Sequence, residues 1–249
     1  MKRKLLFAFN SAFTAVFAAL FLSGCIFINI TEFLSVSPKG EKENYAIVTG
    51  GFSGIIIEGA CNINYYSAPS GTVTLSIHPN LREYYSIEVI DNDLIIKAAK
   101  SINFGPKNIP DLTVSVPVLN RVAVKGACDF TAHDKITADS LIISIMGTGS
   151  GKAELDTENL FANISGAGKL DLSGKTGYAE LVLSGTGELN AISLQAHDAG
   201  VNLSGTGTIR VNSGSNLRVN ASGTGTVVYR GSPSLELNQN GLVTVRREE

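Results

Sequence analysis

The chain has 249 residues, 44% of them hydrophobic and only 17% charged, with 26 glycines and no tryptophan. That length supports a sizeable core, three cysteines are too few for a disulfide scaffold, and a net charge of −2 excludes a strongly basic nucleic-acid binder.

At the N-terminus, Lys2, Arg3 and Lys4 precede a mostly apolar run from Leu5 to Leu22, which ends in Leu22-Ser23-Gly24-Cys25. A basic start, an apolar middle and small residues before a cut describe a secretory signal. The final tetrapeptide resembles a bacterial lipobox. That resemblance implies a signal peptide over residues 1–24, with the Cys25 thiol diacylated at the new N-terminus of an exported envelope protein. The competing reading is an uncleaved membrane anchor, because the apolar run approaches spanning length. Cleavage removes three of the 20 cationic side chains and none of the 22 carboxylates. The mature chain would then repel anionic membrane surfaces slightly, leaving the acyl chains to hold it there. Residues 25–45 contain Pro38, Gly40 and the charged run Glu41-Lys42-Glu43, and read as a tether or cap. Residues 46–249 read as a single domain.

The front of that domain contains a duplicated unit. Phe52–Ile63 matches Leu119–Phe130 at a constant offset, and Gly59-Ala60-Cys61 is identical to Gly126-Ala127-Cys128. Between the copies lie strand-like runs at Val73–Ile77, Ser86–Ile90, Leu94–Ala98 and Leu112–Val116. Asp91-Asn92-Asp93 reads as a hairpin turn between two of them. Lys100–Asp111 reads as a polar loop.

Further on, the motif Met146-Gly-Thr-Gly149 recurs as Ser165-Gly-Ala-Gly168, Ser184-Gly-Thr-Gly187, Ser204-Gly-Thr-Gly207 and Ser222-Gly-Thr-Gly225, once every 18–20 residues. Before each first glycine the apolar residues alternate, as in Leu160, Ala162 and Ile164. After it they alternate again, as in Leu170 and Leu172. Period two is a strand with one face buried. A strand of this kind repeated at a fixed interval buries its apolar face only by stacking on its neighbours. The expected fold is therefore an all-β, single-domain parallel β-solenoid with Gly-centred coils and a less regular N-terminal β region. The glycines are expected to sit inward at a corner, where they let the backbone bend or the opposite wall approach. A phosphate-cradling loop would need a helix after the glycines, and none follows.

The front Phe52-Ser-Gly-Ile motif, the Ser-Gly-Thr-Gly repeats and the late Tyr229-Arg-Gly-Ser-Pro233 together resemble the head GIN domain family, named as putative auto-transporter adhesins. The resemblance spans about residues 46–246. It implies an exported, often lipid-anchored β-solenoid and no catalytic residue. Cys61 and Cys128 depart from its pattern, which has a second glycine at those positions.

No clustered chemistry accompanies these motifs. His78, His133 and His197 lie in unrelated contexts without metal-ligand spacing, and no cofactor motif is present. Counting outward from each first glycine gives three columns. Three residues before it stand Ser144, Asn163, Val182, Asn202, Asn220 and Asn238. One before stand Met146, Ser165, Ser184, Ser204, Ser222 and Asn240. One after stand Thr148, Ala167, Thr186, Thr206, Thr224 and Leu242. These columns hold no carboxylate, whereas glycoside hydrolysis needs a pair. Scattered Glu154, Asp171, Glu180 and Glu188 keep a pectinase-like enzyme as the alternative. The columns offer a neutral face of hydroxyls and amides at rung spacing, about 4.8 Å. Stacked Ser, Thr and Asn serve the ladder itself, or Ser184, Thr186, Ser204, Thr206, Ser222 and Thr224 form a face for carbohydrate or another surface ligand. Paired threonines at Thr206/Thr208 and Thr224/Thr226 also resemble ice-binding arrays. A purely structural envelope protein is the third reading. Nothing in the sequence sets the oligomeric state.

Cys61 and Cys128 occupy the same inward phase of the duplicated unit. If the two copies stack as neighbours, their Cα atoms lie within disulfide reach, and export would permit the bond. The alternative is two buried thiols packing as small hydrophobes.

Overall fold

A computed structural model describes residues 36–69, 71–99 and 108–248. The signal segment, Cys25 and most of the 100–111 loop lie outside these residues.

The described chain is a parallel β-solenoid of about seven turns with a less regular N-terminal region. Each turn contributes to two ladders that meet at the glycine corner. The ladder before the corner is built from β2 (Gly54–Glu58), β6 (Asp93–Ala98), β8 (Arg121–Val124) and β10 (Ile136–Ile145). It continues through the second halves of the long strands β11 (Thr148–Ile164), β12 (Ala167–Leu183), β13 (Thr186–Leu203) and β14 (Thr206–Ala221), and ends in β16 (Ser234–Gln239). The ladder after the corner runs through β7 (Asp111–Val116), β3 (Asn62–Ser67), β9 (Ala127–Ala132), the first halves of β11 to β14, β15 (Thr224–Arg230) and β17 (Leu242–Arg247).

Strong side-chain alternation fixes this register, because a slip of one residue would turn every apolar side chain outward. Leu160, Ala162, Ile164, Leu170 and Leu172 are all buried, as are their equivalents in each later turn as far as Val227. Each fully buried Leu or Ile contributes about 1.5–3 kcal/mol of transfer free energy. Stacking completes the burial, since one coil covers only one edge of the next.

The N-terminal region is irregular because its rungs do not stack in chain order. β2 is flanked by β6 on one side and β8 on the other, so the β6–β7 coil lies outside the β2–β3 coil that precedes it. This places the two duplicated units directly against each other: Gly54 pairs with Arg121 and Ile63 with Phe130. The hairpin at Asp91-Asn92 forms as expected, with φ of 51° and 68°, joining β5 (Tyr85–Ile90) to β6. β4 (Thr72–Ile77) pairs antiparallel with β7, and β1 (Glu43–Ile47) pairs antiparallel with β4, extending the ladder beyond its first parallel rung. At the other end Glu248 folds back onto Arg230, at 2.5 Å, and Arg210.

The corner glycines have a cause different from the inward position expected. A Cβ on Gly185 would point along the solenoid axis at the preceding coil, colliding with the Gly166 carbonyl oxygen and standing 2.6 Å from the Ser165 carbonyl group. Backbone stacking, not the opposite wall, excludes a side chain. The second glycines have a conformational reason as well: Gly149, Gly187, Gly207 and Gly225 hold φ between 145° and 150°, a region L side chains rarely adopt.

Candidate functional site

The glycine corner presents the residues singled out by the repeat. Ser184, Ser204 and Ser222 lie on one side of the bare glycine stripe, and Thr186, Thr206 and Thr224 on the other. All six are exposed. Thr186, Thr206 and Thr224 are direct partners on successive strands. Their backbone groups close the corner: Thr186 N–H donates to the Gly166 carbonyl and Thr206 N–H to Gly185, both at 2.9 Å. The six hydroxyls have no side-chain hydrogen-bond partner among the described residues. Ladder chemistry is used elsewhere. Asn220 donates to Asn202 at 3.0 Å, and the buried Thr157 donates to Thr176 at 3.0 Å.

The same outer face carries a second feature that the three counted columns did not reach. Five residues before each first glycine, the ladder stacks Ile142, Phe161, Glu180, Gly200, Arg218 and Glu236. Seven before it stand Ser140, Asn159, Tyr178, Asp198, Asn216 and Ser234. Carboxylates, an arginine and exposed aromatic rings therefore do align across adjacent rungs, contrary to the neutral face expected. Counting one and two more outward positions from the glycines would have found them.

Gly200 interrupts the first of these columns. With no side chain there, the Tyr178 hydroxyl and the Glu180 carboxylate lean across the gap. Beside it lies a groove of about 350 Å³, walled by Tyr178, Asp198, Asn216, Arg218, Ser234 and Glu236 and floored by Ala199 and Leu217. Tyr178 donates to Glu180 Oε2 at 2.5 Å, and Asn202 donates to Glu180 Oε1. Asn216 donates to Asp198 Oδ1 at 2.7 Å, while Arg218 Nε lies 2.9 Å from Glu236 Oε2. The hydrogen bond to the Glu180 carboxylate, followed by partial burial, pushes the Tyr178 phenol up to about 12. Hydrogen bonds from Asn216 and His197 hold the Asp198 carboxyl below its usual range. That shift opposes a general acid, which needs a raised pKa.

Toward the front of the face the surface becomes apolar. Phe161 is 39% exposed, Ile142 37% and Tyr178 42%. Phe161 and Tyr178 are diagonal neighbours on adjacent rungs, because Phe161 pairs with Glu180 and Asn159 with Tyr178. Such neighbours are about 7–8 Å apart, within reach of aromatic side chains. Alternation alone does not reveal such a platform, since it does not distinguish an outward Phe from a structural one.

The two duplicated units stack, and Cys61 and Cys128 are adjacent. Ala60 pairs with Ala127, and Cys61 N–H donates to the Ala127 carbonyl at 3.2 Å. Both are buried, with free thiols in this structure. In-register side chains on parallel strands stand alongside rather than face each other. Burial pushes the Cys61 thiol up to about 12, and burial with the neighbouring Cys61 pushes Cys128 up further.

The three histidines remain apart. His133 stacks on Tyr66 with ring centroids 4.7 Å apart, and His197 lies 3.2 Å from Asp198. No metal-binding cluster occurs among the described residues.

Fold and face together define a parallel β-solenoid of Gly-cornered coils with a long lateral surface. The chain belongs to the family described as "Putative auto-transporter adhesin, head GIN domain", whose model matches residues 51–233. Among solved structures it is similar to a "putative adhesin" from Bacteroides fragilis NCTC 9343, with 24% identity and a TM-score of 0.82, covering 86% of this chain and 100% of that one. It is similar also to a "putative lipid binding protein" from Parabacteroides distasonis ATCC 8503, with 18% identity and a TM-score of 0.65 over 86% and 100% of the two chains. A "putative adhesin" from the same organism shares 20% identity at a TM-score of 0.65, again over 86% and 100%. No curated protein matches the sequence.

Proposed function

We propose that this chain is a non-enzymatic adhesion module of the bacterial cell envelope, tethered through lipid on Cys25, that engages carbohydrate-bearing surfaces with the outer face of its solenoid. The observation that carries this reading is the edge formed by Ser184, Ser204, Ser222, Thr186, Thr206 and Thr224. Its hydroxyls are exposed, repeat at rung spacing and have no side-chain partner within the described fold. Hydroxyls left free on a rigid ladder are pre-organised, so little ordering entropy opposes contact with a repetitive polymer. The family to which the chain belongs, and the names of two of its structural neighbours, point toward adhesion.

The test is retention of purified mature protein on an array of cell-wall fragments and glycans. Retention that falls when Ser184, Ser204 and Ser222 are replaced together by Ala supports the reading. An array empty at every spot returns the protein to a structural role.

A further inference from the structure

We propose that the groove beside Gly200 is a binding subsite for a neutral, hydroxyl-rich sugar, with the Tyr178 ring as its platform. The proposal rests on the adhesion reading and gives it a ligand class and an address.

The groove combines features that sugar recognition requires. A pyranose has an apolar face of C–H groups and a rim of hydroxyls. The first needs an exposed ring, and Tyr178 supplies one at the groove wall. The second needs acceptors and donors held rigidly in place. Asp198 and Glu236 offer carboxylate oxygens beyond the contacts they already make, and Arg218 offers the guanidinium N–H groups that Glu236 does not take. These side chains stand on adjacent rungs of one ladder, so the backbone fixes their spacing. A groove of about 350 Å³ falls at the small end of ligand sites, large enough for one sugar ring.

Charge selects among sugars. Glu180, Asp198 and Glu236 face a single cation, Arg218, which is already committed to Glu236. Uronates, sialates and phosphorylated sugars would meet net negative potential. The same potential does not exclude a cationic amino sugar, so a chitosan hexamer tests whether charge alone draws the ligand.

The face also sets a polarity along the ligand. Phe161 and Ile142 continue the apolar surface one and two rungs from Tyr178, so further sugar residues would extend toward the N-terminal end of the solenoid. Affinity is therefore expected to rise from monomer to oligomer, and Phe161→Ala to reduce that gain.

The experiment is calorimetric titration of the purified mature protein with cellohexaose, laminarihexaose and mannohexaose, with hexagalacturonate and a chitosan hexamer as charged comparators. At least one neutral hexamer is expected to bind, and in preference to hexagalacturonate. Tyr178→Ala should then weaken binding about fivefold or more, Tyr178→Phe should retain most of it, and Asp198→Ala should weaken it about tenfold. Both side chains lie at the surface, so melting temperatures close to wild type show that folding is intact. Neutral binding unchanged in Tyr178→Ala and Asp198→Ala overturns the groove and leaves the adhesion reading standing. Binding only of a charged hexamer overturns the ligand class. No binding to any hexamer overturns the groove proposal, and the glycan array then decides the wider reading separately.

Discussion

Replacing Gly185 with Val tests why the coils carry glycine at every corner. A Cβ at this position would stand 2.6 Å from the Ser165 carbonyl group and inside the Gly166 carbonyl oxygen, both backbone atoms of the preceding coil. Ordinary contact requires roughly 3.4 Å or more, so relieving the clash with the Gly166 oxygen must separate the two coils by more than an ångström. Two hydrogen bonds oppose that movement, from Gly185 N–H to Ile164 at 3.1 Å and from Thr186 N–H to Gly166 at 2.9 Å. Losing both costs about 1–3 kcal/mol, and the overpacking adds about 1–3 kcal/mol. The sum is about 2–6 kcal/mol, whose upper end lies among the most damaging single substitutions. A domain of this size loses about 2–4 °C per kcal/mol, so thermal unfolding followed by circular dichroism should show a fall of about 10 °C. Thr186→Ala, one residue away with its side chain outside, should stay within about 0.5 kcal/mol of wild type. A Gly185→Val melting temperature equal to wild type would refute the stacking argument.

Other consequences follow from individual side chains. Cys61 and Cys128 are buried and hold their protons more tightly than an ordinary thiol, so alkylation of the folded mature protein at pH 8 should be slow. Denaturation without reductant should release two reactive thiols, and release of none would show a bridge. The Tyr178 phenol is raised by its bond to the Glu180 carboxylate. Glu180→Gln removes the charge that opposes ionisation, so an ultraviolet titration should show one tyrosine ionising at lower pH than in wild type. Asp198 is held low by Asn216 and His197; Asn216→Ala should raise its pKa toward the ordinary carboxylate value, as followed by NMR. Cys25→Ala should abolish acylation and move the protein from the membrane to the soluble or uncleaved fraction. Unchanged membrane fractionation with an uncleaved signal, at wild-type level, would favour the anchor reading.

Sequence alone conveyed the repeating part of this fold well, because stacking imposes one rule on every coil. The glycine before each Thr186-like position has no room for a side chain, and the alternation of Leu181, Leu183 and Leu189 has only one inward phase. The duplicated front unit was equally visible, and Cys61 and Cys128 share its phase, so the stacking of its two copies makes them neighbours. The order of the first coils was not, because nothing local to β6 states which free edge of β2 it will take. The groove was missed for a related reason. Tyr178, Asp198 and Arg218 belong to three different repeats and to no shared motif, and Gly200 looks like any other glycine until the register aligns it between Glu180 and Arg218.

On the proposed function, the outer face holds carbohydrate without altering it. The most direct measurement follows one incubation of the mature protein with a neutral glycan hexamer by two readouts, bound fraction by equilibrium dialysis and chain length by mass spectrometry. A saturable bound fraction and a hexamer of unchanged length after prolonged incubation are expected. Shortened oligosaccharides accumulating in proportion to protein would contradict it, making the aligned carboxylates of Glu180, Asp198 and Glu236 a catalytic set.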